Sequence, residues 1–311
     1  TALNINDFIF HLYGNYKNLY SEDKIVIINP IRYDFNILNI LKGNTRLQRL
    51  KGKHQWYFRG FQVEIFPFVS AWRFRNLHAL VTRSIFFLNR KRIRKLFNTF
   101  QFDIIHARYI FSDGILAYQL SKKYELPYVV STHDELFYFE HFYSRRISLN
   151  ILKKADLVLP VNFISLKYFQ AQGVSHVLQA THGFYNSFIK EQRKQPNETV
   201  RILTVCKLLK YKNIDKIILA LSNLKDIHDF KYTLIGNGPE KEFIHSMVKS
   251  LGLQELVLFI EKVPYEQIAD EMYKHDIFIL PSYFETFGRV YFEVMAMGIP
   301  VICAKYSGIY G

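Results

Sequence analysis

Pro281-Ser282-Tyr283-Phe284-Glu285-Thr286-Phe287-Gly288-Arg289-Val290-Tyr291-Phe292-Glu293 runs straight into Val294-Met295-Ala296-Met297-Gly298-Ile299-Pro300-Val301 near the end of the chain. The short apolar run before it, Ile277 to Leu280, stops at Pro281 and reads as a buried strand. A glycine-containing turn follows, and then a helix that ends at Gly298 with Pro300 behind it. Glu285 therefore falls in the loop at the strand's C-terminal end, and Glu293 about a turn and a half inside the helix. Between them the amides near Phe287, Gly288, Arg289 and Val290 are first-turn donors without partners inside the helix, a setting that suits a phosphate. Two carboxylates around one anion pocket can bind the hydroxyls of a sugar nucleotide. A plainer reading of the same acids is a solvated helix start, where the dipole favours negative charge.

Outward from this stretch, strand-like and helix-like runs alternate. Upstream of it come Val200 to Cys206 as a strand, Ile214 to Leu221 as a helix and Tyr232 to Ile235 as a strand. Glu240 to Leu251 (helix), Val257 to Ile260 (strand) and Tyr265 to Lys274 (helix) lead into Ile277 to Leu280, and Val301 to Ala304 is one more strand. The first half opens on a helix, Asn6 to Tyr20, followed by strands at Lys24 to Asn29, Gln62 to Phe66 and Phe102 to His106. A helix at Ser112 to Lys123, a strand at Pro127 to Thr132 and a helix at Ile147 to Lys154 come next, then a strand at Leu157 to Pro160 and a helix at Phe163 to Gln172. Such alternation predicts an α/β protein with parallel sheets covered on both faces. The polar stretch Lys190 to Thr199 reads as a linker, so two doubly wound domains are expected, over residues 1–190 and 200–311.

Of the 311 residues, 49% are apolar, enough for two sizeable cores and against wholesale disorder. No apolar run reaches the length of a membrane span, and no secretory signal opens the chain. The two cysteines, Cys206 and Cys303, lie in apolar strand-like runs with no zinc spacing, which points to a reduced, cytoplasmic setting. With 41 basic and 27 acidic residues the net charge is +14, so an anionic partner is expected. The densest basic run, Arg90-Lys91-Arg92-Ile93-Arg94-Lys95, follows Trp72-Arg73-Phe74-Arg75 and the apolar residues Leu77, Leu80, Ile85, Phe86, Phe87 and Leu88. It reads either as a helix with one solvated basic face or as a surface lying on anionic lipid at the inner face of a membrane. Nucleic acid is not expected, because no recognition module is visible.

In open parallel sheets ligands bind beyond the C-terminal strand ends, so residues there matter most. Lys207 follows the strand end Thr204-Val205-Cys206, and Lys212 precedes the next helix. Two lysines so placed could clamp a diphosphate and stabilise the charge that develops as it leaves; each also fits a solvated loop of a basic protein. Ile235-Gly236-Asn237-Gly238-Pro239 is another strand-end turn, with glycines that permit positive φ and the close approach of a ligand.

Taken together, these residues resemble the retaining glycosyltransferases of family 4, which have the GT-B fold: two Rossmann-like domains facing a cleft. Glu285 and Glu293 match the family's paired glutamates with the same seven-residue gap, set in Pro281-Ser282, Phe287-Gly288 and Glu293 to Val301. Leu203 to Leu208 with Lys212 is similar to the family's basic strand and loop, and Ile235 to Pro239 to its glycine turn. Phe102 to Arg108 and Ser131-Thr132-His133-Asp134 resemble N-domain strand ends. The resemblance covers about Phe102 to Gly308. It implies transfer of a sugar from a nucleoside diphosphate to a glycan or lipid-linked acceptor, with retention, without a metal or other cofactor, in surface polysaccharide synthesis. By the same resemblance Glu293 holds the ribose and Glu285 the donor-sugar hydroxyls. Lys207, Lys212 and the amides near Phe287 and Gly288 neutralise the leaving diphosphate, Arg289 and the Gly236-Asn237-Gly238 turn border the donor, and His133 sits near the sugar.

Departures from the family pattern stand beside the matches. Thr181-His182-Gly183 carries His182 where the family usually has Asn, Lys207 replaces an arginine, Glu261 a glycine and Arg289 an apolar residue. The family's glycine-rich first turn and its closing helices have no counterpart here, so the sequence is expected to be truncated at both ends. The alternatives are a sugar-nucleotide epimerase or phosphorylase of the same fold, and an inactive nucleotide-binding protein.

Overall fold

A computed structural model describes residues 7–34, 55–58, 60–70, 84–133, 142–190, 195–305 and 309. By contact the chain divides into two compact units, residues 1–130 with 135–158, and residues 131–134 with 159–311. That division falls at Leu159, earlier than the polar stretch read as a linker; of this stretch, residues 191–194 lie outside the described residues.

In the first unit, helix α1 (Asp7–Leu19) precedes β1 (Val26–Asp34), β2 (Gln55–Phe58) and β3 (Phe61–Ser70), which form a sheet in the order β1-β3-β2. β1 and β3 are parallel, but β2 runs antiparallel to β3, so this sheet is mixed rather than wholly parallel as expected. β2 is a short aromatic segment (Gln-Trp-Tyr-Phe) joined to β3 by a turn with Gly60 at φ +81°, and its four residues carry too little periodicity to read as a strand. Helix α2 (Arg90–Thr99) buries Ile93 and Leu96, and Ile93 packs in a core with Phe66, Ile85, Leu116 and Leu120. Its basic run is not all solvated face: Arg92 donates to the Ile65 carbonyl and pairs with Glu64 at 3.1 Å, while Arg90, Lys91, Arg94 and Lys95 are exposed. The segment from Trp72 to Leu80 lies outside the described residues.

Strand β4 (Ile105–Ala107) begins three residues later than the sequence pattern indicates. One π-turn, Ile110–Gly114, leads into α3 (Ile115–Tyr124), so the helix read from Ser112 starts late. β5 (Tyr128–Thr132), α4 (Phe142–Lys154) and β6 (Leu157–Pro160) complete a sheet in the order β4-β5-β6. Residues 131–132 of β5 and 159–160 of β6 group with the second unit.

Helix α5 (Phe163–Ala171) opens the main run of the second unit, with the side chain of Asn162 accepting from the Ser165 amide at 2.8 Å as its N-cap. Then come β7 (Val200–Val205), α6 (Ile214–Ser222), β8 (Phe230–Ile235), α7 (Lys241–Ser250), β9 (Val257–Ile260), α8 (Tyr265–Tyr273), β10 (Ile277–Leu280), α9 (Arg289–Met295) and β11 (Val301–Cys303). Their strands form one sheet in the order β11-β10-β7-β8-β9, and every pair is parallel. Helix α6 buries Ile214, Ile217, Ile218 and Leu221, a spacing of three and four that makes one apolar face. That face and Ile244 and Val248 of α7 share a core with Leu203, Leu234, Phe278 and Leu280 of the sheet. A parallel sheet covered in this way is rigid, which leaves chemistry to the loops at its C-terminal edge.

Candidate functional site

β7 is the point where this sheet reverses its order. From β7 the chain winds outward to β8 and β9, then crosses back to β10 and β11 on the other side. Loops leaving β7 and β10 therefore diverge and open a crevice at the strand ends, where open α/β sheets take their ligands. A cavity of about 330 Å³ occupies it, lined by Val205 at the end of β7 with Cys206 and Lys212 beyond it, by Leu280 at the end of β10 with Glu285 to Val290 beyond it, and by His133 and His182.

Glu285 and Lys212, 73 residues apart, form a charge-assisted hydrogen bond across this crevice. Their side chains are 13% and 11% exposed, so the pair is largely out of water. Ser282 donates to the same carboxylate oxygen at 3.2 Å. Two further links hold the loops in register: Asn213 donates to the Pro281 carbonyl at 2.7 Å, and the Tyr283 amide to the Tyr211 carbonyl at 2.8 Å. Lys212 also lies 5.1 Å over the Tyr211 ring. With the loops tied this way, a carboxylate and an ammonium face the cavity as one neutral unit, which a ligand with hydroxyls and phosphates can part.

Gly288 turns the chain from this loop into α9, at φ +69°. A Cβ there would stand 2.4 Å from the Tyr291 ring, which is fully buried and anchored by its hydroxyl to the Leu280 carbonyl at 2.7 Å. Only glycine serves at this position, for both backbone and space. One turn on, Arg289 pairs with Glu293 at 3.0 Å, and Tyr265 meets the same guanidinium nitrogen at 3.4 Å. Burial pushes the Glu293 carboxyl above the usual carboxylate range, and the Arg289 guanidinium pulls it back in part. The Cys206 thiol is pushed up to about 12, chiefly by burial, so it lines the cavity as a neutral group rather than a thiolate.

The far wall is aromatic. His133 and His182 lie parallel with ring centroids 5.0 Å apart, and His182 meets Phe287 edge-on at 5.4 Å. Phe287 in turn stacks on Phe292 at 4.6 Å. Asn162, the α5 cap, donates its side-chain amide to the Thr286 carbonyl and so ties the Glu285 loop to the end of β6. Its capping role is readable from the sequence, as an Asn before a helical run; its second bond spans 124 residues and is not.

The cavity brings together His133, Lys212, Glu285, Phe287, Gly288 and Arg289, and Glu293 joins them through Arg289. Lys207 is exposed at the end of β7 and does not line it, nor do Gly236, Asn237 and Gly238. The two glycines have a packing use of their own. A Cβ on Gly236 would stand 1.8 Å from the Cys206 carbonyl oxygen, and one on Gly238 2.3 Å from that of Leu208. They admit the protein's own backbone, which there exchanges hydrogen bonds between Leu208 and Asn237 and between Glu240 and Leu208. At Glu261, the carboxylate that stands in place of a glycine pairs with Lys241 on the surface. Among the described residues, no group of three or more His, Cys, Asp or Glu side chains is placed to hold a metal ion, and no helix is long and apolar enough to cross a membrane.

Two family models match the chain: "Glycosyltransferase Family 4" over residues 58–178 and "Glycosyl transferases group 1" over residues 186–310. The chain is 28% identical to an uncharacterized glycosyltransferase of Methanocaldococcus jannaschii, MJ1178, over 67% of this chain and 57% of that protein. It is 27% identical to TuaC of Bacillus subtilis, a glycosyltransferase assigned to teichuronic acid biosynthesis, over 67% of this chain and 54% of that protein. The chain thus spans about half the length of these relatives. In structure it is similar to Anabaena HepE, solved with UDP, at a TM-score of 0.63 and 22% identity, covering 85% of this chain and 71% of that one. That last likeness is one of fold.

Proposed function

The chain belongs to the group 1, family 4 glycosyltransferases of GT-B fold, and on that premise we propose that it transfers a sugar from a nucleoside diphosphate to a hydroxyl acceptor. One observation carries the reading. The loops after β7 and β10, at the reversal point of the five-stranded sheet, present Lys212 and Glu285 as a buried pair, with Arg289 paired to Glu293 nearby. This is one carboxylate and two cations, Lys212 and Arg289, lining one cavity at the strand ends, with Glu293 paired to Arg289 behind it.

In the proposed mechanism Glu293 takes the ribose hydroxyls and Glu285 those of the donor sugar. Lys212, helped by Lys207 at the mouth of its loop, draws off the charge that builds on the diphosphate as its bond to the anomeric carbon breaks. The acceptor hydroxyl attacks from the face the diphosphate leaves, which retains configuration without a protein nucleophile. His133 stands beside the donor sugar, as part of the cavity wall. Lysines supply the positive charge, so no metal is needed. The UDP held by HepE supports a nucleotide donor, and the assignment of TuaC supports a surface polysaccharide or a lipid-linked precursor as acceptor. Peripheral contact with anionic lipid falls to the exposed Arg90, Lys91, Arg94 and Lys95 of α2, beside Phe87 and Leu88, which are also exposed. Sedimentation with anionic liposomes at low salt checks this contact, and absence of binding removes it.

The decisive assay is a donor screen on the full-length protein. Uridine, guanosine and adenosine diphosphate sugars are each offered with a lipid-linked acceptor extract, and nucleoside diphosphate release is followed with and without EDTA. Release from one donor, unaffected by EDTA and reduced at least about a hundredfold in Glu285→Ala, is the expected result. Release that survives Glu285→Ala within about twofold overturns the assignment of the site. Nucleotide binding with no release from any donor would leave a binding protein in place of an enzyme.

A further inference from the structure

Both donors to Glu285 reach the same atom: Lys212 and Ser282 each bond Oε1, the serine at 3.2 Å. Among the described residues nothing donates to Oε2, and Oε2 is not sealed from solvent, so this oxygen opens on the cavity that Glu285 lines. Ser282 itself is fully buried, and its neighbours in sequence are both tied to the loop that carries Lys212. The Pro281 carbonyl accepts from Asn213 at 2.7 Å, and the Tyr283 amide donates to the Tyr211 carbonyl at 2.8 Å. We propose that Ser282 is a positioning residue: with Lys212 it pins Oε1 of Glu285, so that Oε2 is the oxygen presented to a hydroxyl of the donor sugar. The inference rests on the glycosyl-transfer reading above and deepens it, by naming the residue that aims the carboxylate and the oxygen that is aimed.

The torsion that turns a glutamate carboxylate about its last carbon–carbon bond is broad and soft, so one partner leaves the group free to swing. A second donor, from a different segment of the chain and onto the same oxygen, removes that freedom. The hydrogen of Ser282 has a choice of acceptors, since the Tyr291 hydroxyl stands within bonding reach of it as well. Tyr291 gives its own hydrogen to the Leu280 carbonyl at 2.7 Å, and its neutral oxygen is a weaker acceptor than an ionised carboxylate. The serine hydrogen accordingly goes to Oε1. A sugar hydroxyl seeking Oε1 would have to compete with an ammonium and a buried hydroxyl, whereas binding at Oε2 breaks neither bond.

The test compares wild type, Ser282→Ala, Glu285→Ala and the double variant in the full-length protein, with the donor found in the screen. Ser282→Ala is expected to lower kcat roughly ten- to hundredfold with the donor KM within about threefold, since a misaimed group costs turnover more than binding. In the Glu285→Ala background the same change should lower kcat by less than about twofold, because no carboxylate is left to aim. A loss of equal size in both backgrounds overturns the proposal. So does a Ser282→Ala enzyme whose kcat stays within about twofold of wild type. A donor KM that falls at least about threefold with kcat retained overturns it too, because the serine would then be yielding Oε1 to the sugar. Carbon-13 NMR of labelled glutamate carboxyls, with the Glu285 signal assigned by its loss in Glu285→Ala, reads the bond without any turnover. That signal should move in Ser282→Ala, and an unmoved signal overturns the proposal even if no donor is found. A moved signal in a protein that turns over no donor would instead count against the glycosyl-transfer reading alone.

Discussion

Glu285 and Glu293 lie in one short segment, and each side chain is largely buried beside a cation, but the cations come from very different places. Arg289 is one helical turn from Glu293 on the same helix, a local i,i+4 pair. Lys212 comes from another loop, 73 residues away, and reaches Glu285 only because β7 and β10 are neighbours in the sheet. The local cation is the more exposed, at 28% against 11% for Lys212. It compensates its carboxylate incompletely, and burial still pushes Glu293 upward. A pair built across the sheet is thus buried as one unit, whereas a pair built along a helix keeps one member in water.

The largest test of that difference removes the buried cation. Lys212→Ala leaves Glu285 uncompensated and should destabilise the fold by about 3–5 kcal/mol, read from urea unfolding. Glu285→Gln in the same chain should recover much of the loss; an unchanged urea midpoint in Lys212→Ala would mean that the two groups do not depend on each other. Next in size, Gly288→Ala should cost about 1–3 kcal/mol, because φ +69° and the anchored Tyr291 ring both oppose a Cβ.

The Arg289–Glu293 pair predicts a pH effect rather than a large loss of stability. Since the folded carboxyl titrates above its unfolded value, its charge works against the fold at neutral pH, and that cost is relieved as pH falls through the raised value. Ligand binding runs the other way. A protonated Glu293 accepts hydroxyl bonds poorly, so nucleotide affinity should fall with acidity from a pH above the ordinary glutamate range. Arg289→Leu removes the group that holds the carboxyl down and should move this fall to a higher pH, measured by calorimetric titration of UDP. An unshifted profile would show that Glu293 does not hold the nucleotide. At the small end, Lys241→Ala breaks the exposed pair with Glu261 and should leave the urea midpoint unchanged within error.

Much of the second unit is legible because parallel strands buried on both faces are continuous apolar runs, and the helices between them carry clean three-and-four spacing. The first unit reads less well. β2 is four residues long and antiparallel, and the π-turn before α3 leaves no hydrophobic period to detect. Within the site, Glu285, Gly288 and Glu293 declare themselves through a local pattern, whereas Arg289 stands out in the sequence only as a charge where the family has an apolar residue. Gly236 and Gly238 read as a ligand turn, and the structure adds a second need for them, because a neighbouring carbonyl lies where a Cβ would stand. Lys207 and Lys212 look alike in the sequence, yet one is exposed and the other is buried against Glu285.

By itself the chain's order of residues determined the α/β alternation, the strand-loop-helix that carries the paired acids, and the excess of positive charge, all of which depend on neighbours within a few turns or on simple sums. Which acid meets which cation across the crevice, that His133 and His182 share a hydrogen bond, and that Asn162 ties down the Glu285 loop were decided only by tertiary structure. The reason is distance along the chain: the contacts span 73, 49 and 124 residues, and only the hydrogen-bonded order of the strands, with the loops that order aligns, converts those separations into bonds of a few ångströms.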